Sequence, residues 1–457
     1  MKKLIITTLF FILLCSCFFS NETNIFAFYN YKTDRIVKNK GVHFGLGFEV
    51  KTEYAGLFAT VINPTNFQIG DTKPKWKEVK DLGLDEYYYY PTGESYLWYK
   101  NDFIFFNMGY QQLHEGLGKE YPLFLAPNSN PVPSMIFEWE PFEWLKFRQD
   151  VVFYRIGLDF VHLEDKSQEA KSVYHRRITI TPFENIQVGF SDTVLLKGRS
   201  IDVYYLFSPF SYQLAQLARS AIQDAPWKEP INDNMMYGVF FQYSPENWRI
   251  YAEALVDDWG SDKSGVTKVA WDTGAELNLD EHVFSFEFAG ASRYTFNKSF
   301  SRLSYQYVRY EDDPDLPLEY NMIGYKYGEN SASVNLRYEF LGDRFSLGGN
   351  YEFVTFGERD PFCELPPDAL KRNGFTWLED EVLQRESIVT LFSKWDISPK
   401  FALEASVGAR FVENENLIKD SKNVYPQFSI YAKYKFPFTD EIVNKIREGD
   451  FSDIDIF

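Results

Sequence analysis

From about residue 41 onwards, apolar and polar residues alternate along much of the chain. An early stretch places apolar side chains at every second position, at Val42, Phe44, Leu46, Phe48 and Val50. A late stretch does the same at Phe428, Ile430, Ala432, Tyr434 and Phe436. This period places the apolar residues on one face of an extended strand. It predicts amphipathic β-strands, with further clear examples at 303–310, 334–340, 345–355, 387–395 and 401–411.

The segments between these strands are of two kinds. Short turns rich in Gly, Asp, Asn and Pro occur at 244–247, 342–343 and 398–400. Longer polar insertions alternate with them, at about 64–92, 163–171, 257–266 and 357–385. Short turns at one end and long loops at the other are typical of a transmembrane β-barrel, in which the long loops are extracellular. We expect a barrel of about 16–18 antiparallel strands.

The aromatic content favours a barrel over a soluble sandwich or propeller. Aromatic residues make up 19% of the chain, with 44 Phe and 31 Tyr. A barrel uses such residues on its lipid-facing surface and in two interfacial girdles. No stretch approaches the roughly 18 uninterrupted apolar residues of a transmembrane helix. The predicted fold class is therefore all-β, a transmembrane antiparallel β-barrel with short loop helices and a short C-terminal periplasmic tail.

The first residues resemble a secretory signal peptide. Lys2 and Lys3 precede an apolar run that ends at Leu14 and is too short to span a bilayer. We expect cleavage after the small residue Ala27, which leaves Phe28 as the first residue. A lipoprotein-type site at Cys17, preceded by Leu14-Cys15-Ser16, is the open alternative.

The expected organisation has three parts and no separate globular domain. These parts are a signal peptide (1–27), an outer-membrane barrel (28–438) and an acidic C-terminal tail (439–457). Three short stretches have helical rather than strand patterns, at 211–223, 367–372 and 440–447. The first is expected to fold in a loop or into the lumen.

Charge and motifs exclude several functions. The net charge of −18 argues against a nucleic-acid partner. The five His residues lack the spacing of a helical metal site, and no Gly-x-Ser-x-Gly motif occurs. We therefore expect no enzyme activity, no metal and no cofactor.

The strand at 248–258 contains most of the candidate ligand-binding residues. Arg249, Tyr251 and Glu253 share one strand face and should point into the lumen, where an ordinary network of charges is the alternative. Asp257 and Asp258 form an acid pair where the strand enters a loop, and could bind sugar hydroxyls or simply be solvated. Asn128, in a predicted turn before Pro131, is a further candidate. The candidates are therefore Arg249, Tyr251, Glu253, Asp257, Asp258 and Asn128.

An ordered set of motifs between about residues 100 and 260 is more specific than composition. In order, these are Asn107-Met108-Gly109-Tyr110, His114-Glu115-Gly116, Asn128-Ser129-Asn130-Pro131, His175-Arg176-Arg177, Asn232-Asp233-Asn234 and Val256-Asp257-Asp258. The order resembles that of the capsule assembly protein Wzi family. This resemblance implies an outer-membrane barrel of about 18 strands, plugged by a small helical bundle on the periplasmic side, that acts as a lectin for capsular polysaccharide.

The expected function is therefore to bind or organise surface polysaccharide of the capsular type, without catalysis. The expected partners are outer-membrane lipid and surface polysaccharide. A porin or transport channel for small or hydrophobic solutes is the alternative, because the predicted barrel is large and its inner faces are charged.

Overall fold

The computed structural model describes residues 22–33, 41–63, 94–126, 132–155, 171–197, 201–208, 211–220, 233–258, 267–296, 322–358 and 375–436. The strands are β1 (Glu22–Thr33), β2 (Gly41–Lys51), β3 (Ala55–Asn63), β4 (Ser95–Lys100), β5 (Ile104–Gln111), β6 (Val132–Phe142), β7 (Leu145–Arg155), β8 (Lys171–Phe183), β9 (Ile186–Lys197), β10 (Asn234–Tyr243), β11 (Trp248–Asp258), β12 (Lys268–Leu279), β13 (His282–Ala291), β14 (Ser331–Leu341), β15 (Phe345–Phe356), β16 (Gln384–Ser398), β17 (Phe401–Glu413) and β18 (Lys422–Phe436). The helices are α1 (Val203–Leu206), α2 (Tyr212–Ser220) and a 3₁₀ turn (Glu415–Leu417).

The strands form one closed sheet. Each pairs with its neighbours in the chain, and β1 also pairs with β18, which closes the ring. All pairs are antiparallel, as the predicted hairpins require. Closure satisfies the backbone hydrogen bonds of every strand, and this is the condition for a sheet to cross a bilayer. The predicted antiparallel barrel of about 16–18 strands is confirmed, with 18 strands.

The outer surface of the barrel is apolar, and the inner wall formed by β6–β15 is shielded. On β11, Ile250 points outwards and is 40% exposed, whereas Glu253 points inwards and is 3% exposed. Outward-facing Val239 and Leu391 are 60% and 58% exposed. Large exposed aromatic side chains lie near the short-turn end, at Phe103, Trp139, Phe142, Trp144, Phe183, Trp248, Phe345 and Trp395. Such a surface is stable only against lipid, and the aromatic ring near one end is an interfacial girdle.

The connections differ at the two ends, as predicted. From β2 to β16, each even-numbered strand continues into the next through two to four residues, and the other end has the long connections. Helix α2 lies within the helical stretch predicted at 211–223. The predicted strand at 303–310 and the helices at 367–372 and 440–447 lie outside the described residues. No helix in the described part of the chain is long and apolar enough to cross a membrane.

The barrel begins at Glu22, upstream of the Phe28 start expected from the sequence. The Ala27–Phe28 bond lies within β1, whose residues pair with both β2 and β18. Cleavage after Ala27 stays a prediction, as does the alternative at Cys17, which is outside the described residues. At the other end, β18 ends at Phe436, close to the expected Phe438.

Candidate functional site

Two loop segments from the long-loop end fold into the barrel. The first inner segment (residues 112–126) follows β5, and the second inner segment (residues 322–330) precedes β14. The two segments join where the Ala126 amide donates to the Ile323 carbonyl over 2.7 Å. Their apolar side chains form one buried cluster with the inner wall, which includes Leu123, Phe124, Tyr325, Val152, Val173, Leu195 and Leu255. The lumen therefore contains an apolar core of its own along β6–β15.

The first inner segment follows the wall from β7 to β15. Glu115 pairs with Arg148 of β7, and the Phe124 ring lies 4.9 Å from the His175 ring of β8. Further around the barrel wall, the Tyr121 hydroxyl donates to Glu352 of β15 over 2.8 Å. The segment thus lines about half of the barrel circumference and narrows the lumen.

Wall carboxylates hold the backbone of this segment. Glu253 accepts the Leu117 amide at 3.2 Å. Glu287 accepts the amides of Lys119 and Glu120 at 3.2 Å, and that of Tyr121 at 2.7 Å. Buried backbone amides need such partners because no water replaces them. The hydrogen bonds therefore anchor the middle of an irregular segment whose own backbone pairing is a single antiparallel bridge between Glu115 and Leu125.

Arg249, Tyr251 and Glu253 point into the lumen, as predicted. All three side chains already contact other residues of the protein. Arg249 donates to the Leu117 carbonyl at 2.7 Å, and its guanidinium lies 4.5 Å from the Tyr251 ring centre. Tyr251 and Glu253 are 6% and 3% exposed beneath the first inner segment. The geometry therefore matches the alternative of an internal charge network, and a ligand role for these residues stays a proposal.

The other candidates are scattered. Asp257 accepts the Phe296 amide at 2.9 Å and lies 3.9 Å from the Lys268 ammonium. Asp258 ends β11 and is the register partner of Lys268. Asn128 lies outside the described residues. The six predicted residues therefore do not converge on one cavity in the part of the chain that is described.

A buried cluster formed by Glu115, Asp150 and His175 has the composition of a metal site. Ligand atoms of Glu115, Asp150 and His175 lie within 4.8 Å of one another, and all three residues are buried. However, Arg148 contacts Glu115 at 2.7 Å and Asp150 at 2.9 Å. The guanidinium occupies the oxygens that a metal would need and supplies the compensating positive charge. We interpret this cluster as an ion-pair network that fixes the first inner segment.

Glu352 connects both inner segments to the wall. Its Oε1 accepts the hydroxyl groups of Tyr121 and Tyr327 at 2.8 Å each and contacts the Lys326 ammonium at 2.7 Å. Burial alone lowers the pKa of Lys326, but the Glu352 carboxylate raises it more, so the pKa lies above its ordinary value. A single buried carboxylate thus holds three groups from two loops.

A third connection, between β9 and β10, contains helices α1 and α2. The Arg176 guanidinium donates to Asp192 at 2.9 Å and lies 4.4 Å from the Tyr212 ring centre at the start of α2. The Tyr212 amide donates to the same Asp192 oxygen at 2.9 Å. These contacts hold α2 against β8 and β9. The sequence-based expectation of a helix in a loop or the lumen agrees with this position.

The wall formed by β16–β18 is different in character. The Ser406 and Ser429 hydroxyls are 2.6 Å apart, and Glu404 lies 3.9 Å from Lys394. Ser406, Ser429 and Glu404 are partly buried and Lys394 is exposed, whereas Glu386 and Arg410, nearer the long-loop end of the same wall, form a buried ion pair. The lumen thus has a filled side and a polar, solvent-accessible side.

The sequence did not predict the two inner segments. Leu123-Phe124-Leu125 and Met322-Ile323 are apolar runs within loops, and such runs could have indicated buried loops. Within the described ranges, the connections after β5 and before β14 contact the inner wall and the one after β9 packs against β8 and β9, and none of the three is among the polar insertions predicted from the sequence. The Wzi resemblance implied a helical bundle on the periplasmic side. The described residues instead fill the lumen with segments from the long-loop end.

Substitution of Gly238 on the inner wall tests how closely the first inner segment packs against that wall. A Cβ at Gly238 would lie 2.2 Å from Phe124 Cζ. We expect Gly238→Ala to displace Phe124 and to lower the free energy of unfolding by about 1–3 kcal/mol, the usual cost of overpacking. Thermal unfolding in detergent measures this. Gly349→Ala is the control, because its nearest contact would be 3.4 Å; equal stability of the two variants would contradict the close fit.

Comparison with known proteins identifies the fold. No model of a known family matches the sequence, and no curated protein sequence matches it. Among solved structures, the chain is similar to Wzi of Escherichia coli, described as a carbohydrate-binding β-barrel involved in group 1 capsule assembly. The TM-score is 0.55 and the identity 10%, over 94% of this chain and 87% of that one. It is also similar to OccAB2 of Acinetobacter baumannii, with a TM-score of 0.50 and 10% identity, over 92% and 99%.

These similarities agree with the geometry. A closed barrel with an apolar outer surface, an aromatic girdle and alternating short turns and long loops is a bacterial outer-membrane β-barrel. Of the sequence-based resemblance to the Wzi family, the similarities confirm the outer-membrane β-barrel fold, which OccAB2 shares.

Proposed function

We propose that the protein is a non-catalytic outer-membrane barrel that binds surface polysaccharide of the capsular type. The observation that carries the proposal is the filled side of the lumen, where two inner segments form a buried apolar core with β6–β15. Such a core favours a binding scaffold over a wide conduit. The fold likeness to Wzi, a carbohydrate-binding barrel, supports the same function.

The proposed binding surface lies at the long-loop end. Asp257 and Asp258 end β11 on that side, although Asp257 is only 5% exposed and already accepts the Phe296 amide. Tyr204 of α1 and Phe207, which directly follows α1, are 43% and 77% exposed. Exposed aromatic rings offer flat apolar faces to the C–H groups of sugars, and acids accept hydrogen bonds from sugar hydroxyls. Asn128, in the connection after the first inner segment, stays a candidate for the same surface.

Binding of host capsular polysaccharide to the detergent-refolded barrel tests this function. We expect saturable binding that Phe207→Ala weakens several-fold, since it removes an exposed ring at the long-loop end. Phe183→Ala is the matched control, because Phe183 is 70% exposed but lies at the short-turn end. If wild-type protein bound no polysaccharide, or both variants bound equally less, the proposed surface would be wrong.

A channel for small solutes is the second candidate. It is favoured by the polar side chains along β16–β18, which are only partly buried and face the lumen. Conductance in a planar bilayer distinguishes the two functions. Large steady steps without polysaccharide binding would favour a channel, whereas binding with little conductance would favour the scaffold.

A further inference from the structure

A groove crosses the lipid-facing surface of the barrel towards its short-turn end. It extends over β11–β16 and has a volume of about 630 Å³, which lies within the roughly 300–1,000 Å³ of known ligand sites. The outward-facing side chains that line it are apolar and exposed, and include Ile250, Phe286, Leu336, Val389 and Leu391. The groove is therefore a depression in the surface that contacts the membrane, and its occupant must come from the lipid phase.

Two small residues give the groove its depth. Ala275 is the register partner of Ile250 on one side and of Phe286 on the other, so it separates two large side chains in one outward-facing row. Gly349 lies in the same way between larger side chains of β14 and β16 in the next row. A Cβ at Gly349 would have its nearest contact at 3.4 Å, so open space lies above this backbone. A flexible apolar chain fits such a depression.

The groove continues to a polar end at the short turn between β12 and β13. A second depression, of about 510 Å³, shares Phe284 and Tyr338 with the groove and extends to His282. The His282 Nδ1 lies 2.9 Å from the Tyr338 hydroxyl oxygen, so Nε2 is the ring nitrogen that can donate to a ligand. Asp280 and Glu281 form the turn itself, and both are exposed. The apolar groove thus ends at an imidazole and two acids.

This order of chemical groups matches that of a phospholipid. The exposed aromatic side chains of the short-turn end mark the membrane interface, so the polar end lies at the depth of headgroups and the apolar part at the depth of acyl chains. An imidazole donates to a phosphate oxygen, and carboxylates attract an ammonium group. A headgroup with a phosphate and no ammonium is repelled by the two acids. The charges therefore favour a zwitterionic headgroup over an anionic one.

We propose that the groove across β11–β16 binds a phospholipid whose headgroup carries both a phosphate and a primary ammonium. One acyl chain lies against Ala275 and Gly349, the phosphate meets His282, and the ammonium lies near Asp280 and Glu281. The site does not depend on the proposed polysaccharide binding, because it is on the outer surface and towards the opposite end of the barrel.

Native mass spectrometry of the full-length protein, refolded in detergent and incubated with dioleoylphosphatidylethanolamine, tests the site. We expect one strongly retained lipid molecule, and several-fold less retention of dioleoylphosphatidylglycerol, which lacks the ammonium. Gly349→Leu places a side chain in the groove and should lower retention several-fold. Val407→Leu is the matched control, because Val407 is also exposed on the outer surface but lies on β17, outside the groove.

The headgroup end is tested by a second pair of variants. Combining Glu281→Gln with His282→Ala should remove the preference for the ammonium-bearing lipid, because both charge-dependent contacts are lost. Glu246→Gln, in the short turn between β10 and β11, removes an exposed acid away from the groove and should keep the preference. Equal retention of the two lipids by wild type would overturn the proposal.

Two other outcomes would contradict the groove as the site. Gly349→Leu protein that retained the lipid as well as Val407→Leu would do so, and so would a wild-type dimer that Gly349→Leu dissociates, since a second copy of the chain would then occupy the groove. If the variants do not fold, wild type alone is sufficient. Its melting temperature should rise with the ammonium-bearing lipid and not with the anionic one, because a ligand of the folded state stabilises that state. No difference between the two lipids would refute the site.

Discussion

Replacing residues 113–125 with a short Gly-Ser linker should raise the single-channel conductance of the barrel several-fold. The first inner segment lines the wall from β7 to β15, and its side chains fill that side of the lumen. Its removal leaves a wide barrel of 18 strands, which is large enough for an aqueous channel. Planar-bilayer recordings of the variant and of wild type, at equal salt concentration, give the measurement.

The matched control for this deletion is Lys119→Ala. The Lys119 side chain is 61% exposed, and its removal leaves the backbone hydrogen bonds of the segment in place. Its conductance should stay at the wild-type level. Equal conductance of the deletion variant and wild type would show that the first inner segment does not restrict the lumen.

Replacing Glu352 with leucine should cause the largest loss of stability of any single substitution considered. The change leaves the Lys326 ammonium and the hydroxyls of Tyr121 and Tyr327 without their shared acceptor. Removing one partner of a buried ion pair costs about 3–5 kcal/mol, because the other charge stays buried and unpaired. Denaturant unfolding in detergent, followed by tryptophan fluorescence, measures the change in the free energy of unfolding.

Two further variants separate this effect from a general loss of charge. Glu404→Leu breaks the exposed pair with Lys394 and should cost about 0–1 kcal/mol. Combining Glu352→Leu with Lys326→Met should recover part of the lost stability, because no uncompensated charge remains. If Glu352→Leu cost no more than Glu404→Leu, Glu352 would not be the residue that holds the inner segments.

The strands could be located from the sequence because each has a repeating local pattern. The alternation at Val42–Val50 and at 401–411 recurs in β2 and β17, since lipid on one face and the lumen on the other impose a period of two. The alternation on β11 also gave the inward orientation of Arg249, Tyr251 and Glu253 before any contact was known.

The partners of these inward residues could not be predicted in the same way. Leu117 and Glu253 are 136 residues apart in the chain, and Tyr121 and Glu352 are 231 apart. Nothing in the local pattern of either residue indicates the other. The inward orientation of Arg249, Tyr251 and Glu253 was therefore predicted correctly, while the hydrogen bonds of Arg249 and Glu253 to Leu117 became visible only in the folded barrel.

The sequence by itself thus determined the class of fold, the faces of the strands and the unequal lengths of the connections, because all three are properties of short, contiguous segments. Only the tertiary structure decided which connections enter the lumen and which carboxylates bind them. These features arise when ring closure brings distant strands within reach of one loop, and the resulting contacts depend on geometry across the whole barrel.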